Sequence, residues 1–174
     1  MTIKDKQFKS YISELQIQTA VKNVSSLINA DLKNELPIFL VVLNGAFMFA
    51  ADLLKEINIP CEISFVKVAS YNGTKTSGKI EELIGLTESV SDRTVVILED
   101  IIDTGLTIER IISTLKQKNA KQIKVAAAFM KADSYKQDYL IDYVAIKIKN
   151  EFVVGYGLDY NGQGRNLKEL YTLT

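Results

Sequence analysis

Between Leu98 and Thr107 the chain reads LEDIIDTGLT. Three carboxylates, Glu99, Asp100 and Asp103, fall close together, and Thr104, Gly105 and Thr107 follow at once. Acidic side chains suit hydroxyl groups and divalent cations. A Gly/Thr turn that opens a helix instead aims backbone N–H groups at an anion. A ribose 5-phosphate meets both demands. Its phosphate would sit in the cradle of residues 103–107, and its 2′,3′-diol against Glu99 and Asp100, directly or through Mg²⁺. Gly105 allows the close backbone approach that such a cradle needs. Solvated loop acids beside an ordinary helix N-cap would explain any one of these carboxylates, but not the whole arrangement behind an apolar run.

Those groups need a strand to end at the acids and a helix to begin at the threonines. TVVILED (Thr94–Asp100) reads as a buried strand. TIERIISTLKQK (Thr107–Lys118) carries Ile108, Ile111, Ile112 and Leu115 at helical spacing. The same alternation runs through most of the chain. IFLVVLNG (Ile38–Gly45) reads as strand, AFMFAADLLKEI (Ala46–Ile57) as helix and CEISFVKVAS (Cys61–Ser70) as strand. IKVAAAFM, YVAIKI and EFVVGYGL supply further strands. The first 35 residues show a helical stripe of Tyr11, Leu15, Ile17, Val21, Val24, Leu27 and Ile28. Alternating strands and helices predict an α/β fold with a parallel, Rossmann-like sheet and crossover helices. Ligands of such sheets bind beyond the carboxyl ends of the strands. Three turns are expected there: Asn44–Ala46, Glu99–Thr107 and the segment after Met130.

At 174 residues the chain fits one domain, 1–174, with a sizeable core. Its 21 basic and 21 acidic residues give a formal net charge of zero, which argues against a nucleic-acid partner. No apolar run reaches the roughly 18 residues of a membrane span. The polar start MTIKDKQFKS lacks the apolar core of a secretory signal, so a cytoplasmic protein is expected. The lone Cys61, flanked by strand-like sequence, reads as an inert buried thiol. There is no histidine, which removes Ser–His and Cys–His triads and histidine-bound zinc. Acid–base chemistry must rest on carboxylates, lysines or tyrosines.

EDIIDTG (Glu99–Gly105) resembles the signature of the type I phosphoribosyltransferases, and in form that of the hypoxanthine-guanine phosphoribosyltransferases. Further matches follow in the family's order from about Ile38 to Leu167. The resemblance implies phosphoribosyl pyrophosphate as co-substrate, with Glu99, Asp100, Asp103, Thr104, Gly105, Leu106 and Thr107 binding its phosphoribosyl part. VVLNGAFMFAADL resembles the pyrophosphate loop, in which Leu43, Asn44 and Gly45 offer backbone groups and Leu43–Asn44 is a cis peptide. Asn44 and Leu106 stand where relatives often have lysine. Ser70 and Tyr71 match the family's closing loop, and Arg165 its pyrophosphate arginine. Lys131 matches the lysine that reads the purine, Phe152 the ring that stacks on it, and Val153 a backbone partner of the base. Asp159 is implied at the purine and on a second Mg²⁺, alongside Glu99 and Asp100 as metal-binding acids. The implied architecture adds to the sheet a small hood formed by the chain ends.

The expected reaction is Mg²⁺-dependent purine salvage. The 5-phosphoribosyl group passes to a 6-oxopurine, hypoxanthine and with it guanine, giving IMP or GMP and pyrophosphate. Asp103 is the implied catalytic residue, and a homodimer or homotetramer is the implied assembly, with no membrane partner. Within the enzyme class a xanthine- or pyrimidine-directed relative is the alternative. Two readings of other classes are weaker. GTKTSGKI (Gly73–Ile80) matches an ATP-binding P-loop, but Ile80 replaces the hydroxyl that binds Mg²⁺. A nucleic-acid-binding sensor of phosphoribosyl pyrophosphate would need a basic excess that the chain lacks.

Overall fold

The computed structural model describes residues 1–68 and 83–174. In chain order the elements are β1 (Thr2–Ile3), β2 (Lys6–Ile12), α1 (Glu14–Asp31), β3 (Ile38–Leu43), α2 (Phe47–Glu56), β4 (Glu62–Val68) and β5 (Leu83–Ile84). They continue with β6 (Thr94–Ile102), α3 (Leu106–Gln117), β7 (Gln122–Lys131), β8 (Tyr143–Ile148), β9 (Val153–Val154) and β10 (Leu170–Leu173). The Ser70–Tyr71 pair and the P-loop-like match at 73–80 lie outside the described residues.

The apolar runs become the sheet because both of its faces are covered, so no strand needs a polar side. Its order is β5-β4-β3-β6-β7-β8. The strands from β4 to β8 run parallel, and β5 adds an antiparallel edge. On one face Phe39, Val41, Val96 and Leu98 pack against Ile17, Val21, Val24 and Ile28 of α1 and against Phe49 and Leu53 of α2. On the other, Leu40, Ile97 and Val125 pack against Ile108, Ile111, Ile112 and Leu115 of α3. The apolar stripe read in TIERIISTLKQK is this buried helix face. None of the helices among the described residues is long and apolar enough to cross a membrane.

A second sheet, of order β1-β2-β10-β9, is antiparallel and joins the two ends of the chain as a hood. It corrects the expectation of a helix over the first 35 residues. Helix α1 starts only at Glu14, where Ser13 caps it and exchanges hydrogen bonds with Gln16. Tyr11 belongs to β2, and Leu15 and Leu27 are exposed rather than part of the stripe. The β2 residues Phe8 and Ile12 are buried by β10 and its surroundings, a long-range pairing that helical spacing cannot reveal. EFVVGYGL is likewise strand only at Val153–Val154. Positive φ angles at Gly155, Tyr156 and Gly157 (+105°, +47° and +98°) turn the chain back into the site.

Candidate active site

The three turns expected at the strand ends meet around one cleft of about 570 Å³. Its walls carry Leu43, Asn44 and Gly45 after β3, Glu99, Asp100, Asp103 and Thr107 after β6, and Lys131 at the end of β7. Phe152, Val153, Asp159 and Arg165 close it from the hood. A smaller concavity of about 100 Å³ is formed by Glu99, Ile101 and the turn Ile102–Ile108. This is the cradle read in DTGLT. Thr104, Gly105 and Leu106 line it and do not reach the main cleft. Gly105 takes φ +84°, and Tyr135 and Gln137 pack so closely over it that a Cβ would lie 2.5 Å from Tyr135 Cε2. Gln137 Nε2 also donates to Thr104 O at 3.2 Å.

Glu99 and Asp100 lie near the carboxyl end of β6 and are themselves buried, at 8% and 9% exposure. Burial, reinforced by the neighbouring Asp100 charge, holds Glu99 well above the usual carboxylate range. Burial raises Asp100 as well, opposed by hydrogen bonds from Glu99 and from the Ile101 N–H and by the charge of Arg165. The Ile101 N–H donates to Asp100 Oδ1 at 2.7 Å. Among the described residues, Glu99 Oε2 is buried without a hydrogen-bond partner. Such an atom normally costs stability; here it lies beside an acidic neighbour that also lines the cleft, the donor set that a divalent cation or a sugar hydroxyl would complete.

Gly45 is the point where three segments touch. A Cβ on it would fall 1.5 Å from Asp100 Oδ2, and a Cβ on Gly157 would fall 2.0 Å from Gly45 O. The loop after β3 is thus clamped between the β6 carboxylates and the hood turn. The Leu43–Asn44 peptide is cis, as the resemblance implied.

Two charged pairs line the cleft. Lys131 Nζ contacts Asp103 Oδ2 at 2.9 Å, with the lysine side chain 12% exposed and the aspartate 47%. Arg165 pairs with Asp159 and donates from Nη1 to Gly157 O at 2.7 Å. Asp159 Oδ2 accepts from the Gly162 N–H at 2.7 Å. Asp159 therefore does not join Glu99 and Asp100 in one ligand set, and no three acidic residues among the described ones could hold a metal together. A magnesium ion commonly rests on one or two carboxylates and takes its other oxygens from substrate and water. The Glu99–Asp100 pair and the separate Asp159 fit that habit.

The sequence reading missed several neighbours. Arg110, one turn along α3, lines the cleft. Tyr156, 1% exposed, donates to Asp52 Oδ2 at 3.0 Å, and Gln18 Nε2 donates to the same oxygen at 2.6 Å. This ties the hood turn to α1 and α2; burial and the Asp52 charge push the phenol far above its usual range. The glycines on either side of Tyr156 were the available signal for a sharp turn.

The phosphoribosyl transferase domain profile matches residues 10–161. The hypoxanthine-guanine phosphoribosyltransferase of Bacillus subtilis is 39% identical over 160 residues, covering 91% of this chain and 89% of that protein. The crystal structure of a hypoxanthine-guanine phosphoribosyltransferase from Bacillus anthracis superposes with a TM-score of 0.85 at 30% identity, covering 97% of this chain and 100% of the other. A hypoxanthine phosphoribosyltransferase structure from Staphylococcus aureus gives 0.86 at 33% identity, with 98% and 92% covered.

Proposed function

The chain belongs to the phosphoribosyl transferase family, and from that premise we propose that it acts on 6-oxopurines. It transfers the 5-phosphoribosyl group of phosphoribosyl pyrophosphate to hypoxanthine, and to guanine, releasing pyrophosphate. The observation that carries this reading is the composition of one cleft. A buried carboxylate pair, a lysine–aspartate pair and an aromatic ring line it, and the cradle adjoins it at Glu99, Asp103 and Thr107. The similarity to enzymes named for hypoxanthine and guanine supports the same base class.

In this reading the sugar phosphate accepts hydrogen bonds from the 103–107 backbone and the threonine hydroxyls. Glu99 and Asp100 hold the ribose diol. The 43–45 backbone and Arg165 receive the pyrophosphate. Phe152 stacks on the base, the Val153 backbone hydrogen-bonds its edge, and Lys131 donates to O6. The base nitrogen bonds to C1′ as the C1′–oxygen bond to pyrophosphate breaks, through an oxocarbenium-like state. The base gives up its N7 proton to Asp103, general-base help worth about 10²–10⁴-fold. Mg²⁺, held at Glu99–Asp100 and at Asp159 with substrate oxygens, would supply charge neutralisation for the pyrophosphate and orient the diol. Ser70 and Tyr71 are assigned to closure over the centre on resemblance alone. We take residues 1–174 as one catalytic domain and the working unit as a homodimer or homotetramer. Ile63 and Phe65, 46% and 50% exposed on β4, leave an apolar strip that supports such assembly.

Lys131 sets the test. An ammonium has donors only, so it matches O6 of hypoxanthine and opposes the amino group of adenine. Product formation from each base with phosphoribosyl pyrophosphate and Mg²⁺ should show hypoxanthine turnover and negligible adenine turnover. Lys131→Met should erode the preference by losing hypoxanthine activity. Comparable kcat/KM for adenine and hypoxanthine in the parent would overturn the role of Lys131; no nucleotide from any 6-oxopurine would overturn the function.

A further inference from the structure

Phe152 presents two faces. One lines the cleft. Beside the ring, outside the cleft, stands a cluster that the assignment above does not use. Phe8 lies 6.3 Å from the Phe152 centroid, and Tyr160 meets it edge-on at 5.8 Å. The Lys6 ammonium sits 5.5 Å from the Phe152 ring centre and 4.9 Å from that of Tyr160. Lys6 is not among the residues lining the cleft.

The two residues before it reach the same loop. Lys4 Nζ donates to Asn161 O at 2.8 Å, and Tyr160 OH donates to Asp5 Oδ1 at 2.8 Å. Three consecutive side chains of the β1–β2 turn therefore grip residues 152 and 160–161, next to Asp159. Behind them, Thr172 Oγ1 donates to Phe152 O at 3.2 Å, and Ile3, Phe8 and Val154 form a small buried core. The ring is held on its backbone side by β10 and on its outer side by the β1–β2 turn.

We propose that the Lys4–Asp5–Lys6 turn is a clasp for the base-stacking ring, with Lys6 the residue that positions Phe152 for the purine. A ring free to rotate about χ1 and χ2 loses that freedom when a base stacks on it. A ring already fixed by a cation and a T-shaped neighbour loses little, so the clasp lowers the entropy cost of base binding. The ammonium also draws on the ring's π density from the outer side, leaving the cleft side to the base. The cradle and the diol-binding acids lie at the end of β6 and the start of α3, which the clasp does not touch, and its side chains grip Phe152, Tyr160 and Asn161 rather than Arg165, so its main effect falls on the base. This inference rests on the stacking role given to Phe152.

The test is steady-state kinetics of the full-length enzyme with each substrate varied in turn. Lys6→Met keeps the aliphatic stem and removes the charge. It should raise KM for hypoxanthine about two- to fivefold, the size of an exposed cation–π contact. KM for phosphoribosyl pyrophosphate and the thermal midpoint should stay at parental values. Lys6→Arg, which retains the cation over the rings, should restore the parental hypoxanthine KM, and Tyr160→Phe should raise it in the same direction as Lys6→Met. A Lys6→Met enzyme with unchanged hypoxanthine KM, or with both KM values and the thermal midpoint altered together, overturns the clasp. A parent that uses no base at all overturns the stacking role, and the clasp with it.

Discussion

The two halves of the cleft are built in opposite ways. The β6 half is made by ten consecutive residues, Leu98–Thr107, whose backbone and acids are set by one strand, one turn and one helix. The hood half gathers Phe152, Asp159 and Arg165 onto a sheet whose strands come from opposite ends of the chain. Its contacts join residues more than 150 positions apart, such as Lys4 with Asn161 and Ser10 with Glu169. The β6 acids are buried, with Glu99 Oε2 lacking a partner among the described residues, whereas the hood charges Asp159 and Arg165 are already paired with each other. A site can thus keep its electrostatic demand on the rigid side and its adjustable contacts on the other. Gly45, touched by both halves, is where they are joined.

The largest expected effect comes from breaking that joint. Gly45→Ala places a methyl group on Asp100 and displaces both halves, so activity should fall by at least about 10³-fold. Gly162→Ala is the contrasting case: no described residue lies within 4 Å of its added methyl, so the substitution costs only the strain of a side chain at φ +84° and clashes with neither half. It should retain activity within about tenfold; equal losses in the two variants would mean that Gly45 is not the junction.

Asp103→Asn separates binding from chemistry within the β6 half. The cradle is largely backbone, so co-substrate affinity by calorimetry should change less than about threefold, while turnover falls roughly 10²-fold or more. Turnover within about threefold of the parent would remove Asp103 as the base.

Glu99→Gln tests whether the buried acids carry a stability cost. A carboxyl whose folded pKa is raised binds protons better folded than unfolded. Its favourable contribution is present below the unfolded value near 4 and is lost as pH rises through the raised folded value. The ligand-free parent should therefore lose thermal stability as pH rises through that window, and Glu99→Gln should flatten the dependence. At pH 8 the variant should melt a few degrees higher, yet show kcat/KM about tenfold lower. A melting profile in which parent and variant run parallel with pH would refute the cost.

The smallest effect is expected on the hood's tether. Tyr156→Phe removes one hydrogen bond to Asp52, which keeps Gln18 and Lys55 as donors. The loss should be about 1 kcal/mol, a fall of roughly 2–4 °C in Tm for a chain of this size. A fall beyond about 8 °C in calorimetry would show that Asp52 depends on the phenol alone.

The same division governs what could be read from the residues alone. Strands β3, β6, β7 and β8 and helices α2 and α3 announce themselves because their apolar pattern is local and their apolar residues pack into the two cores beside the sheet. The cradle was legible for the same reason: its groups are neighbours in the chain. Phe152, Asp159, Lys131 and Arg165 line the same cleft, but only an ordered resemblance singled them out, since a lone lysine or phenylalanine carries no signal of its own. Strand β2 was hidden in a helical pattern, because its partner β10 lies more than 150 residues away. The Gly157–Gly45 contact and the Arg165–Asp159 pair depend on how two loops approach, which no spacing rule encodes.

The position of β10 has a consequence for biosynthesis. It lies between β2 and β9, and both of those strands hydrogen-bond to it rather than to each other. The parallel sheet can be laid down as the chain emerges, since every strand from β3 to β8 precedes it. The hood cannot: until residues 170–173 have left the ribosome, β2 waits with its inner edge open and Phe8 uncovered. A nascent chain thus carries a finished β6–α3 turn and a disassembled aromatic wall, and the two sides of the cleft mature at different times.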